Sequence, residues 1–259
     1  MGQYSFMDSF NHPSHGLEKF KDWIITMFQG GRKEGTSIPV PAEVKKAVAW
    51  TLKDSNGLIS NGSRALGRYG MTELLYSSCQ TNNEITLAHV IMIWHIATWH
   101  FEISESNRTD TVQETNRLVA TSLSKYCAYL VAFAPELVPG SPIQTQSMLD
   151  ELVADARKAL RGASDMYKRL QELQKEGTQS LIFAESAILG MKLESMEDQG
   201  ARWNLLADFW AELMLFIAPS DNVAGHIEHL AQGGEFVTHV WALLMHAGIL
   251  DRPAAASAI

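Results

Sequence analysis

The chain has 259 residues, 46% of them apolar and only 19% charged, with 29 acids against 21 bases. A net charge of −8 excludes an overall basic nucleic-acid binder. Two cysteines, Cys79 and Cys127, are too few for a disulfide scaffold and fit a reducing compartment.

The opening MGQYSFMDSFNHPSHG has no basic stretch followed by an apolar one, so no secretory signal is read and a cytoplasmic protein is expected. Leu17, Phe20, Ile24 and Phe28 recur at helical spacing and predict a helix ended by Gly30-Gly31. Pro41 suits the first turn of a second helix, running to about Lys53. The glycine-rich stretch 54–70 leaves room for only a short helix. From Thr86 to Ile103 and from Val112 to Phe133 the apolar residues are too dense for one narrow stripe, which predicts central helices. The apolar runs 87–101 and 236–250 contain histidines and fall short of the ~20 apolar residues of a membrane-spanning helix, so no membrane insertion is expected. Two prolines within 134–140 break the chain.

Residues 148–173 carry a heptad pattern. Leu149, Ala156, Ala163 and Leu170 repeat every seventh position, with Leu152, Ala159, Met166 and Leu173 beside them and charged residues between. A seam of this kind fits one partner helix, in cis or in trans, and Gly162 interrupts it. On the trans reading Leu149, Leu152, Met166, Leu170 and Leu173 are the partner-binding residues.

Three further helices are predicted at Leu181–Lys192, at about Gly200–Ala218 and after Ser220 or Asp221, the last stopped by Gly233-Gly234. A final helix runs from about Glu235 to His246, with Gly248 as its C-cap. The fold class is all-α, one compact domain of about nine or ten helices with one long amphipathic helix. Within it, residues 1–40 form an N-terminal helix and connector, 41–140 and 178–250 the core helices, 142–177 the long amphipathic segment, and 251–259 a flexible tail.

Candidate chemistry is thin. His226 and His229 stand one turn apart, with His239 and His246 on the next helix, but the H-E-x-x-H spacing of a zinc site is missing. His89, His95 and His100 share a helix at spacings that put them on different faces and read as core histidines. Glu185 and Glu194 read as solvated carboxylates. No G-x-S-x-G occurs, and neither cysteine has a catalytic context. No catalytic residue, metal or cofactor is therefore assigned.

Several stretches together resemble a plant family best populated in grasses, named domain of unknown function 594. They are GQYSFMDSF (2–10), LISNGSRAL (58–66), HVIMIWHIAT (89–98), LSKYCAYLVAFAPELVPG (123–140) and WNLLADFWAELMLFIAPSDNVAGHIEHLAQGGEFVTHVWALLMHAG (203–248). The resemblance implies architecture rather than chemistry. Typical members carry this region on the cytosolic side, after a multi-span membrane domain that would end where GQYSF begins. It implies either a soluble copy without that domain or a chain cut there. No catalytic residues are established for the family, so none transfers. His100 and Ser220-Asp221 depart from its pattern, where relatives often have cysteine or other small residues.

Two classes of function follow as expectations. The first is a non-enzymatic interaction module that binds another protein, a full-length relative or a toxin or effector, and sequesters or neutralises it. The second is an enzyme or metal protein built on the histidine-rich C-terminal helices.

Overall fold

A computed structural model describes residues 1–10, 36–73, 79, 81, 85–105, 113–161, 163, 165–176, 180–220, 222–231 and 233–252. The helix expected over Leu17–Phe28 lies outside the described residues, as do Gly162 and Asp221. Among the described residues the chain is all-α. Ten α-helices occur: α1 (Ala42–Asp54), α2 (Ser63–Arg68), α3 (Leu87–Ser104), α4 (Glu114–Phe133), α5 (Pro142–Ala159), α6 (Met166–Glu176), α7 (Leu181–Ser195), α8 (Gln199–Ile217), α9 (Val223–Ala231) and α10 (Phe236–His246). The one sheet among the described residues is a single antiparallel pair, β1 (Gly2–Gln3) against β2 (Thr36–Ser37), with Gly2 opposite Ser37.

α3 and α4, whose apolar residues are too dense for one narrow stripe, are central helices. α3 packs on α4 and α7, and α4 packs on α8, which in turn receives α1 and α2 on another side. Fourteen of the fifteen positions from Leu87 to Phe101 in α3 are buried. Trp94 of α3 stacks on Phe209 of α8 with ring centroids 3.7 Å apart, and the Trp210 indole N–H donates to the Thr98 hydroxyl at 3.0 Å. The stretches 86–103, 123–133 and 203–246 contribute to one continuous apolar cluster.

The N-terminal decapeptide is part of this core. Gln3 donates through Nε2 to the Ser122 carbonyl at 3.1 Å, the Tyr4 amide donates to the Lys125 carbonyl at 3.1 Å, and Phe6 and Met7 are fully buried. His95 of α3 fastens it. The Phe6 N–H donates to His95 Nε2 at 3.1 Å, so the ring carries its proton on Nδ1, which donates to the Ser124 hydroxyl at 2.9 Å. The Trp99 indole donates to Asp8 Oδ1 at 2.8 Å. His95 is thus the core histidine the sequence suggests, bonded to an amide and a hydroxyl.

The amphipathic segment departs from the long-helix expectation. α5 ends at Ala159 and α6 begins at Met166, where the Asp165 carboxylate accepts the Lys168 N–H at 3.1 Å as an N-cap. α5 lies on α4 and α3, whereas α6 lies on α7. The two halves of the heptad pattern therefore serve different neighbours. At the C-terminal end, the cap of α9 is Asn222 rather than Ser220: the Asn222 side chain accepts the Gly225 N–H at 3.0 Å. No helix among the described residues is long and apolar enough to cross a membrane.

Candidate functional site

The heptad seam is filled in cis. Leu149, Leu152, Leu170 and Leu173 are buried in the chain's own core, and Met166 packs against it half-buried. A trans partner would have to displace α3 and α4 from one half and α7 from the other. The physical reason is the break after Ala159, which turns each half of the stripe onto the nearest core helix. These five residues are an internal packing face in the folded chain, not an open docking seam.

The C-terminal histidines do not converge either. His226 is buried and stacks face to face on Trp241, with centroids 4.8 Å apart and planes 2° from parallel. Burial holds its pKa down at about 4, with His229 adding to the effect. Among the described residues neither of its ring nitrogens has a hydrogen-bond partner. His229 instead pairs through Nε2 with Glu136 Oε1 at 2.9 Å, and His239 donates through Nδ1 to the Glu235 carbonyl at 2.9 Å. Among the described residues no group of three His, Cys, Asp or Glu side chains could hold a metal ion.

Glu194 is not the solvated carboxylate expected. It accepts the Tyr167 hydroxyl at 3.0 Å and stands 3.4 Å from Nδ1 of buried His100, whose ring stacks on Tyr167. Among the described residues neither nitrogen of His100 has a hydrogen-bond partner, and burial lowers its pKa against the pull of Glu194. This cluster ties α6 to α3 and α7.

A different surface, missed by sequence reading, brings functional residue types together. Trp50 is 52% exposed, whereas Trp94, Trp99, Trp203, Trp210 and Trp241 are at most 9% exposed. Trp50 and Asp54 lie one turn apart on α1, Arg64 and Arg68 one turn apart on α2, and Asp208 faces them from α8. The Arg68 guanidinium sits 5.6 Å from the Trp50 ring centroid, within cation–π range. Its Nη1 bonds Asp208 Oδ2 at 2.7 Å, and its Nη2 bonds Asp54 Oδ2 at 3.0 Å. Arg64 reaches the same Asp54 oxygen at 2.7 Å, and the Tyr69 hydroxyl donates to Asp208 Oδ2 at 3.1 Å. Burial pushes the Asp208 carboxyl up, opposed by Arg68 and Tyr69, and pushes the Tyr69 phenol up to about 12 with help from Asp208.

This network stands on a buried carboxylate. α2 has six residues, too short to be stable alone, and no side chain of its own N-cap, Gly62, can satisfy its first amides. Glu212 of α8, almost fully buried, supplies that function from below. Its Oε2 accepts the Ala65 N–H at 3.1 Å and the Ser60 hydroxyl at 2.6 Å. A negative charge at the amino end of a helix is electrostatically favoured. Gly62 must be glycine on two counts: its φ is +92°, and a Cβ there would overlap the Phe209 ring. The signal in the sequence is the pairing of LISNGSRAL with WAEL, two of the stretches that resemble the family, but nothing local in either says that they touch.

No curated protein and no solved structure matches the chain. Residues 195–249, which include Asp208 and Glu212, match the profile of the family described as "Protein of unknown function, DUF594", a match that supports membership of that family.

Proposed function

We propose that the chain is a non-enzymatic protein–protein interaction module, docking its partner on the Trp50–Arg68 surface. One observation carries this reading: a tryptophan left more than half exposed, held in place by an arginine that is itself fixed by Asp54 and Asp208. Trp, Tyr and Arg dominate the energetics of protein interfaces, and side chains already ordered lose little further freedom on binding. The partner fitted by such a surface lays an apolar side chain on Trp50 and sets a polar rim against Arg64 and Asp54. In the cell the module acts as a cytoplasmic protector that sequesters or neutralises another protein, a full-length relative or a toxin or effector. The resemblance to a membrane-anchored plant family supports that part of the reading.

The test is affinity capture from plant extract with the wild type, Trp50→Ala and Arg68→Ala in parallel, each checked for an unchanged melting temperature. A protein retained by the wild type and lost by both variants is the expected result. An identical captured set from all three overturns the assignment of the surface.

The alternative, an enzyme or metal protein using the C-terminal histidines, has in its favour the unpartnered ring nitrogens of His226. Against it, His229 is committed to Glu136 and His239 to a backbone carbonyl. Elemental analysis of protein purified without a metal column decides it, since that reading needs one equivalent of metal that His226→Ala removes.

A further inference from the structure

The connection between α1 and α2 contains Ser-Asn-Gly twice, at 55–57 and 60–62. The structure treats the two Asn-Gly pairs differently. Ser55–Leu58 form a β-turn in which the Leu58 N–H donates to the Ser55 carbonyl at 2.9 Å. Its central residues have φ of +49° at Asn56 and +82° at Gly57, the signs of a type I′ turn. The turn's hydrogen bond thus uses the amide of Leu58, and the Asn56 N–H goes to the Lys53 carbonyl at 3.2 Å. Asn56 is exposed, Leu58 beside it is 76% exposed, and among the described residues nothing holds the Asn56 carboxamide. Asn61 is the opposite case. Its Nδ2 donates to the carbonyl of buried Cys79 at 2.6 Å, and Gly62 behind it lies against the Phe209 ring.

We propose that Asn56 is a modification site at which the folded protein deamidates with water as the only co-reactant, and that Asn61 is protected. The Gly57 backbone nitrogen attacks the Asn56 side-chain carbonyl carbon, and the new C–N bond closes a five-membered succinimide. The carboxamide nitrogen leaves as ammonia, taking up the proton that the Gly57 nitrogen gives up. Water then adds to one of the two ring carbonyls and reopens the ring, as aspartate or, with the main chain rerouted through the side chain, as isoaspartate. Glycine favours the step because it has no Cβ to crowd its nitrogen, and here the attacking N–H is the one the turn leaves out of its hydrogen bond. At Asn61 the carboxamide is anchored and cannot swing onto the following nitrogen.

The product carries a new carboxylate two residues after Asp54, the residue that holds both Arg64 and Arg68. The isoaspartyl form also lengthens the main chain between the helix bearing Trp50 and the helix bearing the arginines. This chemistry does not depend on what the surface binds.

The test ages the full-length folded protein in mildly alkaline buffer, with a urea-denatured sample beside it. Trypsin then releases residues 54–64, a peptide holding both asparagines, for fragment sequencing by mass spectrometry and for isoaspartate-specific methyl transfer. The expected result is aspartate plus isoaspartate at 56 in several-fold excess over 61 in the folded sample, with both sites converting in urea. Folded Asn56→Gln should lose the mass gain and the methyl acceptor together. An intact Asn56 in the aged folded protein, or Asn61 converting as fast as Asn56, overturns the proposal.

Discussion

The Ser60 hydroxyl donates to the Glu212 carboxylate at 2.6 Å, joining residues 152 apart in the chain. The same carboxylate oxygen takes the Ala65 N–H, so one buried side chain closes the loop before α2 and caps the helix after it. Glu212→Ala leaves a buried amide and hydroxyl without their acceptor and should cost about 1–3 kcal/mol. Denaturant unfolding measures the loss, which Glu212→Gln should partly restore because a carboxamide oxygen can accept the same two bonds.

Protonation gives Glu212 a second signature. Burial raises its pKa, outweighing the Ser60 and Ala65 hydrogen bonds, which lower it. A carboxyl group whose folded-state pKa lies above its unfolded value binds more protons folded than unfolded, so stability falls as pH rises between the two values. Melting temperatures of the wild type should therefore fall relative to Glu212→Gln as pH rises through the carboxylate range, then run parallel above it. Curves that run parallel throughout would show that the carboxylate is ionised at no cost.

His95 has the opposite sign. Burial, with Lys125 adding to it, pushes its pKa from 6.5 down to about 3. The unfolded chain takes up a proton first on acidification, so stability falls as pH drops from 6.5 towards 3, by up to about 1.4 kcal/mol per pH unit. His95→Gln should be less stable than the wild type at neutral pH, having lost the bridge from Phe6 to Ser124, and should show a shallower acid limb. Acid titration followed by circular dichroism checks both.

Leu152→Asp and Leu170→Asp should each prevent folding or cost more than about 3 kcal/mol, since both side chains are buried in the core and an introduced carboxylate would have to be desolvated there. A folded double mutant with an unchanged melting temperature would return the heptad seam to the surface.

Trp241→Ala should cost about 3–5 kcal/mol, because it removes a large side chain wedged against His226 and leaves a cavity. Thermal unfolding measures it, and a neutral effect would mean that α10 repacks freely.

The helical skeleton was legible because it rests on local signals. Pro41 started α1, the dense apolar runs placed α3 and α4, and Gly233-Gly234 stopped α9 where their positive φ values allow the chain to turn. The heptads identified a buried stripe correctly, but periodicity says only that a face is apolar, not which neighbour covers it. With α5 and α6 separated by a turn, that neighbour is a core helix on each side. The site was illegible for the same reason. Trp50 looks like the other tryptophans in sequence, and it is exposed because α1 turns another face, with Val44, Val48 and Thr51, to the core. Glu212 sits in a run of apolar residues that reads as core, and its role depends on an amide 147 residues earlier. Glu194 was misjudged because its charged sequence neighbours suggest water, whereas its spatial neighbours are His100 and Tyr167.

The buried N-terminal decapeptide sets an order on synthesis. Phe6 and Met7 are made well before their partners: the His95 ring that receives the Phe6 amide comes 89 residues later and the Ser122 carbonyl that receives Gln3 comes 119 residues after it. At about 5–20 residues per second, the gap from Gln3 to Ser122 corresponds to roughly 6–24 s of translation. Throughout that interval the segment that finally lies between α3 and α4 has no native place to go, and its aromatic and thioether side chains stay open to other contacts on the ribosome. Docking this segment is therefore a late event in the folding of the domain, and the burial of Phe6 marks how far folding has progressed.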